Sequence, residues 1–434
     1  MTRYLGHLFC HLRYSFSYLP CVNALSPFRI PQIYTHLSSH ARGLLISSNI
    51  TSVTIQKTYL EKTLLMKLLR LLQQKPVQPS TFHDNLKPYI LHADDGGHLG
   101  VGYVLTHASP QQGLNGIFTH MESQLRQWET EGKTGQVLLY VHGGLRKEAF
   151  SLEFARKQLD YCLSRNIYPI FLTWHTGTTE TLGTLGKELL KKKLNVSSLL
   201  KNPMAVPHWG WQRMKQNAQA LSAENTGALY QFLTKLNKLK DGFSQEVPLH
   251  FVGHSAGSIV IGHALPYWCG TLNNPLHHVS LLGAAIRCEA FEELYGPALA
   301  SKQLQHLQLV NLSAASELKE MVWHGFTHPS LLYGVSYLFD PETPPGLTHF
   351  MQPSKLAENA SALLGMHHHI AESYGEQLEQ LREKWQLAPN QLEILWVDRQ
   401  DELFQQAEPV TALESNHAVL DRQLFGYVVE KTLP

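Results

Sequence analysis

Leu249-His250-Phe251-Val252-Gly253-His254-Ser255-Ala256-Gly257-Ser258-Ile259-Val260-Ile261 joins a short apolar run to a longer one through two glycines set either side of a serine. The first four residues read as a strand feeding the serine. Ser258 to Leu265 reads as the following helix, stopped before Pro266. A turn that goes straight from strand to helix forces the residue at its apex into a strained backbone, so neighbours two positions away must lack bulk. Gly253 and Gly257 meet that need. The turn would lift the Ser255 hydroxyl above the carboxyl edge of a sheet, with a helix N-terminus beneath it. Gly-x-Ser-x-Gly is a weak signal by itself, because any glycine-rich turn can show it. Its place between a strand and a helix makes Ser255 the candidate nucleophile, with Gly253, His254 and Gly257 shaping the elbow.

Working outward from this stretch, short apolar runs alternate with longer amphipathic ones from residue 80 onward. That alternation predicts an α/β fold: a mostly parallel central sheet with helices on both faces. Val137 to Val141, Tyr168 to Trp174, His278 to Gly283, Leu307 to Leu312 and Leu392 to Val397 read as its further strands. Continuous apolar runs of this kind mark strands covered on both sides. Pro88 to His92 and Gly100 to Leu105 flank the turn signal Asp94-Asp95-Gly96-Gly97 and predict an antiparallel N-terminal hairpin. Gly113 to Thr130, Glu148 to Ser164, Asn225 to Leu239, Gly375 to Trp385 and Asp421 to Thr432 predict helices.

Two segments are longer than plain connections require and read as cap-like insertions, at about 178–220 and 320–390. The first carries Lys187 and Lys191 to Lys193, then Trp209 and Trp211. Residues 76–434 are thus expected to form one domain with two insertions. Residues 1–75 are expected to stand outside it as an N-terminal extension. This segment holds Arg3, Arg13, Arg29, Arg42 and Lys57, with no Asp or Glu before Glu61. Two readings of it stay open: an extension foreign to the working protein, with Met66 as an alternative start, or a targeting or membrane-surface segment.

Composition narrows the function. Among 434 residues, 43% are hydrophobic and 16% charged, with a formal net charge of +1, so no global field gathers nucleic acid. The five cysteines are odd in number and scattered without a Cys-x-x-Cys pair, which argues against a disulfide framework or a zinc ribbon. His367-His368-His369 offers no ligand spacing, and neither metal nor cofactor is expected. No run of 18 apolar residues occurs, so the expected location is cytoplasmic, with membrane association through residues 1–75 as the alternative.

A nucleophilic serine needs an oxyanion site, a base and an acid. His142-Gly143-Gly144 ends an upstream strand, and glycines let backbone N–H groups come close to a substrate oxygen. Gly143 or Gly144 would supply one donor and Ala256, just after the serine, the other. The base should follow the last strand. His417, in Glu414-Ser415-Asn416-His417, is the best placed of 25 histidines. The acid should follow the strand ending near Leu312. Glu317 is the first carboxylate there, with Glu320, Asp340 and Asp398 as fallbacks.

Tyr140-Val141-His142-Gly143-Gly144-Leu145, Gly253 to Gly257 and Asn416-His417 together resemble the α/β-hydrolase superfamily. The resemblance is strongest to poorly characterised bacterial serine hydrolases and covers roughly residues 80 to 434. It implies hydrolysis of a carboxylic ester, lipid ester or thioester through an acyl-enzyme on Ser255. An acyltransferase on the same fold and a non-catalytic hydrolase-fold binding protein are the alternatives. The expected partner is a small-molecule or lipid ester, with peripheral membrane contact open and the oligomeric state unread.

Overall fold

The computed structural model describes residues 84–144, 146, 148–174, 205–313, 316, 332, 335, 336, 340, 363–366, 380, 382–398 and 416–432. By contacts the chain separates into two units, Met1–Thr58 and Tyr59–Pro434, and all described residues belong to the second. The expected extension, Lys187 and Lys191 to Lys193, and His367 to His369 lie outside the described residues, as does most of both expected insertions.

Seven strands form one sheet in the order β1-β3-β2-β4-β5-β6-β7, and every neighbouring pair is parallel. They are β1 (Ile90–His92), β2 (Gln136–Val141), β3 (Ile167–Thr173), β4 (Leu249–His254), β5 (Leu276–Leu282), β6 (Leu304–Leu312) and β7 (Leu392–Val397). The described helices are α1 (Pro110–Thr130), α2 (Glu148–Leu163), α3 (Ala205–Ala220), α4 (Ala228–Lys240), α5 (Gly257–Leu265), α6 (Cys288–Ala300) and α7 (Asn416–Thr432). A 3-10 turn, Asp84–Tyr89, leads into β1, and a π turn, Pro266–Thr271, follows α5. β2, β3 and β4 are buried along their whole length, which is why their sequences lack polar alternation.

Chain direction reverses across the middle of the sheet. From β2 the chain crosses through α2 to β3 on one side. From β4 it crosses through α5 to β5 on the other. Right-handed crossovers then put α2 and α5 on opposite faces. α7 packs with α2, while α3 and α6 pack with α5, so both faces are covered. None of the described helices is long and apolar enough to cross a membrane.

The N-terminal hairpin does not form. The Asp94 turn does: the Asp94 carboxylate accepts the N–H groups of Gly96 and His98 at 2.8 and 2.9 Å, and Ala93 bridges Leu99 antiparallel. Beyond Gly100 the chain peels away, because Glu148 takes its N–H groups. Tyr103, Val104 and Leu105 donate to that carboxylate at 2.8, 3.1 and 3.3 Å. β1 instead pairs parallel with β3.

At the amino ends of the middle strands, His250, His278 and His306 stand in register across β4, β5 and β6. His250 and His278 are buried. Burial, with His306 nearby, pushes His278 down to about 4, and burial pushes His250 well below the ordinary value. A depressed folded-state value means that the unfolded chain binds the proton more readily. The contribution of these neutral rings is therefore complete above about pH 6.5 and is lost as pH falls below it, for His278 down to about 4. For His278 alone the loss approaches about 3 kcal/mol at the bottom of that window. Thermal unfolding midpoints should accordingly fall from pH 7 to pH 4.5. A His278→Phe variant should show a shallower fall, and an equal slope in the two proteins would remove His278 from the account.

Candidate active site

The strand order reverses between β2 and β4, and open parallel sheets bind ligands outside the carboxyl ends of the strands at such a reversal. Both glycine motifs sit there. His142-Gly143-Gly144 leaves β2, and Gly253 to Gly257 carries the chain from β4 into α5.

Ser255 occupies the left-handed region at φ +52°, which for a residue with a side chain costs about 1–3 kcal/mol. Three backbone contacts hold it. Its N–H donates to the Leu282 carbonyl at 2.9 Å, and its own carbonyl accepts the Ala285 N–H at 3.0 Å and the Ser258 hydroxyl at 2.6 Å. The flanking glycines are required by contact: a Cβ at Gly257 would stand 2.3 Å from the Val141 carbonyl oxygen, and one at Gly253 would stand 2.7 Å from Ile261 Cδ1. Ala256 is the N-cap of α5 and is fully buried beside the serine.

His417 lies in the first turn of α7, which begins at Asn416 and so starts five residues earlier than the sequence predicts. Its Nε2 is 3.0 Å from Ser255 Oγ across 162 residues of sequence. The ring is buried against Gly283, where a Cβ would come within 2.8 Å of His417 Nδ1. Burial pushes His417 well below the ordinary histidine value, His254 and Arg146 push the same way, and Asp421 opposes them. The imidazole is therefore neutral at pH 7 and able to accept a proton.

Gly143 closes over the serine. A Cβ there would meet His254 Nδ1 at 2.8 Å and Ser255 Cβ at 3.0 Å. At Gly144 the same atom would meet the Met214 thioether of α3 at 2.8 Å and Ala256 Cβ at 3.7 Å. His142 turns away and is buried: its ring Nδ1 is 2.7 Å from the Gly143 carbonyl oxygen, and its own carbonyl accepts the Trp174 indole N–H at 3.1 Å. Burial pushes His142 down to about 3, so it too is neutral. Trp211 of α3 packs into the core.

Beneath this layer is a group of residues that the sequence motifs do not announce. Asp421, one turn after His417, is fully buried. Its carboxylate accepts from the Tyr140 hydroxyl of β2, from Arg146 Nη2 at 2.7 Å and from the Arg422 N–H at 2.8 Å. Burial alone would raise its carboxyl, but Arg146, His254 and the Tyr140 hydroxyl together hold it well below the usual carboxylate range. His254 stands between this carboxylate and His417. Its Nδ1 is 3.7 Å from Asp421 Oδ2, and its Nε2–H donates to the His417 carbonyl at 2.9 Å.

Of the acid candidates, Glu317 and Glu320 lie outside the described residues. Asp340 is buried and engages Lys215 at 3.4 Å and Arg287 at 3.6 Å. Asp398 accepts the hydroxyls of Ser313 and Ser316. Among the described residues no three His, Cys, Asp or Glu side chains are grouped to hold a metal ion. No protein-family model matches the chain, and no curated protein matches it.

The two glycines of the β2 loop differ in what surrounds them, and that difference is measurable. Gly143→Ala forces its methyl onto a buried ring and the serine, so it should cost about 1–3 kcal/mol and lower the unfolding midpoint. Gly144→Ala meets only the end of a flexible Met214 side chain and should cost under about 1 kcal/mol. Equal losses in the two variants would contradict this packing.

Proposed function

We propose that this protein is a serine hydrolase that cleaves a carboxylic ester or thioester through an acyl-enzyme on Ser255. One observation carries the reading: Ser255 Oγ and His417 Nε2, 162 residues apart in sequence, lie 3.0 Å apart at the sheet's direction reversal. A hydroxyl is a poor nucleophile until a neutral base takes its proton, and burial keeps His417 in the neutral form. The resemblance to α/β-hydrolases supports the same reading, since oxyanion loop, elbow and late histidine occur in the chain order of that superfamily.

In the proposed cycle, Ser255 Oγ attacks the acyl carbonyl while its proton passes to His417 Nε2. The carbonyl oxygen takes up negative charge and is held by the Ala256 N–H and by that of Gly143 or Gly144. Collapse expels the alcohol or thiol with the proton from His417. Water then attacks the acyl carbon as it gives a proton to the same nitrogen, and the acid leaves as the bond to Ser255 Oγ breaks and His417 returns that proton to Oγ. Glu317 is proposed as the carboxylate that orients the imidazole, from its place after β6. Met214, buried beside Gly144, is proposed as the apolar wall that the substrate meets, which favours an apolar acyl or alcohol group. Esters of graded chain length should therefore rise in kcat/KM with length, and indifference to length would count against that wall.

A fluorophosphonate should label the folded full-length protein on one residue, and Ser255→Ala should abolish the label. His417→Gln should slow labelling by ~100-fold or more. A folded protein that takes no label would overturn the hydrolase reading. The pH dependence is also fixed in sign. A base whose value lies below about 6.5 stays neutral as the solution is acidified past that point. The acid limb of the labelling rate should accordingly have its midpoint below pH 6.5, and a midpoint at or above 6.5 would contradict the burial of His417.

A further inference from the structure

The loop that carries Gly143 and Gly144 and the helix that carries His417 come from opposite ends of the domain's sequence, yet both must keep their distances to Ser255 within a fraction of an ångström. Arg146 stands two residues past Gly144 on that loop, and Asp421 stands one turn past His417 on α7. Resting on the hydrolase reading, we propose that the buried Arg146–Asp421 pair is a positioning device that fixes the glycine loop and the first turn of α7 to each other across the Ser255 turn.

The argument is geometric. Arg146 Nη2 donates to Asp421 Oδ1 at 2.7 Å, with the Asp421 side chain 0% and the Arg146 side chain 17% exposed. Residues four apart share a helix face, so whatever fixes Asp421 fixes the azimuth of His417. The Tyr140 hydroxyl ties the same carboxylate to β2, directly before His142. The Tyr140 ring stacks on Phe154 of α2 at 4.5 Å and meets Phe425 of α7 edge-on at 5.7 Å, which seats the helix on the sheet. His254, next to the nucleophile, closes the circuit through its bond to the His417 carbonyl and its 3.7 Å approach to Asp421. Loop, elbow, strand and base helix thus meet on a single carboxylate.

Stability alone does not account for such a pair. Two charges taken out of water lose about as much in hydration as they regain from each other, and apolar side chains of similar size hold a core as well. What apolar replacements do not supply is direction. Arg146 presents a planar set of donors, and Asp421 has fixed acceptor positions. A displacement of about 1 Å in a reacting group is enough to cost up to ~100-fold in rate.

The test is the rate of fluorophosphonate labelling of Ser255 in the full chain, measured from pH 4.5 to 8.5 beside thermal unfolding. Asp421→Asn should label ~10- to 100-fold more slowly. Its acid limb should move to lower pH, because the charge that raises His417 is gone while Arg146 remains. Arg146→Met should also label more slowly, but with its acid limb moved to higher pH, because the charge that lowers His417 is gone. A purely structural role would not shift the two limbs in opposite directions. The double variant Arg146→Met/Asp421→Leu should keep an unfolding midpoint near wild type and still label at least ~10-fold more slowly. Arg146→Lys retains the charge without the planar donor set and should fall between wild type and Arg146→Met in rate. Any of these variants that folds and labels at the wild-type rate with the wild-type acid limb overturns the proposal. Absence of labelling in folded wild type is a separate result, which overturns the hydrolase reading on which it rests.

Discussion

The structure depends on one tight turn. Between the last residue of β4 and the first of α5 only Ser255 and Ala256 intervene, and the chain changes from extended to helical within them. Such a turn cannot stand on its own, because its apex is strained and its glycines have no side chains to pack. It is held from outside by neighbours on both sides. The Val141 carbonyl presses on Gly257 from β2, and the loop after β5 reaches in with the Leu282 carbonyl and the Ala285 N–H. The strand order therefore does more than stack the core. With β2 on one side of β4 and β5 on the other, both supports reach the same turn, one at Gly257 and the other at Ser255.

Electrostatically the centre of the molecule combines neutral rings with one charged pair. His142, His254 and His417 are all pushed below their ordinary value by burial. The Arg146–Asp421 pair beside them brings two full charges into the same small volume. Because the pair has no net charge, its effect on each ring depends on which member is nearer and how each is oriented. The titration of His417 is in this way tied to geometry, and a shift of the loop against the helix changes both together. Residues 363–366 add a further support to the loop after β5: the Gly365 and Leu364 N–H groups donate to the Ala284 and Ile286 carbonyls at 2.7 and 2.8 Å.

Much of this arrangement was legible in the sequence, for physical reasons that differ by residue. Strands covered on both faces must be apolar throughout, so Val137 to Val141 and Leu249 to Val252 are visible as runs. The turn at Ser255 demands glycines at fixed offsets, so it is visible as spacing. His417 is readable through chain order, whereas the sequence predicts the helix only from Asp421, five residues after α7 begins. That boundary places Asp421 at a helix end rather than one turn inside α7 beside His417. In sequence, Asp421 resembles any surface acid on an amphipathic helix, and only its spacing of four from His417 hints at a shared face. The hairpin was misread for a related reason. The Asp94 turn is real, but the fate of the residues after it is decided by Glu148, some 45 residues away, and no local pattern carries that information.

The 162-residue separation between Ser255 and His417 also bears on how the protein comes into being. Bringing points so distant together costs a few kcal/mol of chain entropy, which the packing of α7 must offset. A ribosome releases the elbow and all of β5 and β6 well before α7 exists. During that interval Ser255 has no His417 beside it. On the hydrolase reading, reactivity of the serine therefore waits on the seating of α7 against the sheet, and so on the packing around Tyr140 and Asp421.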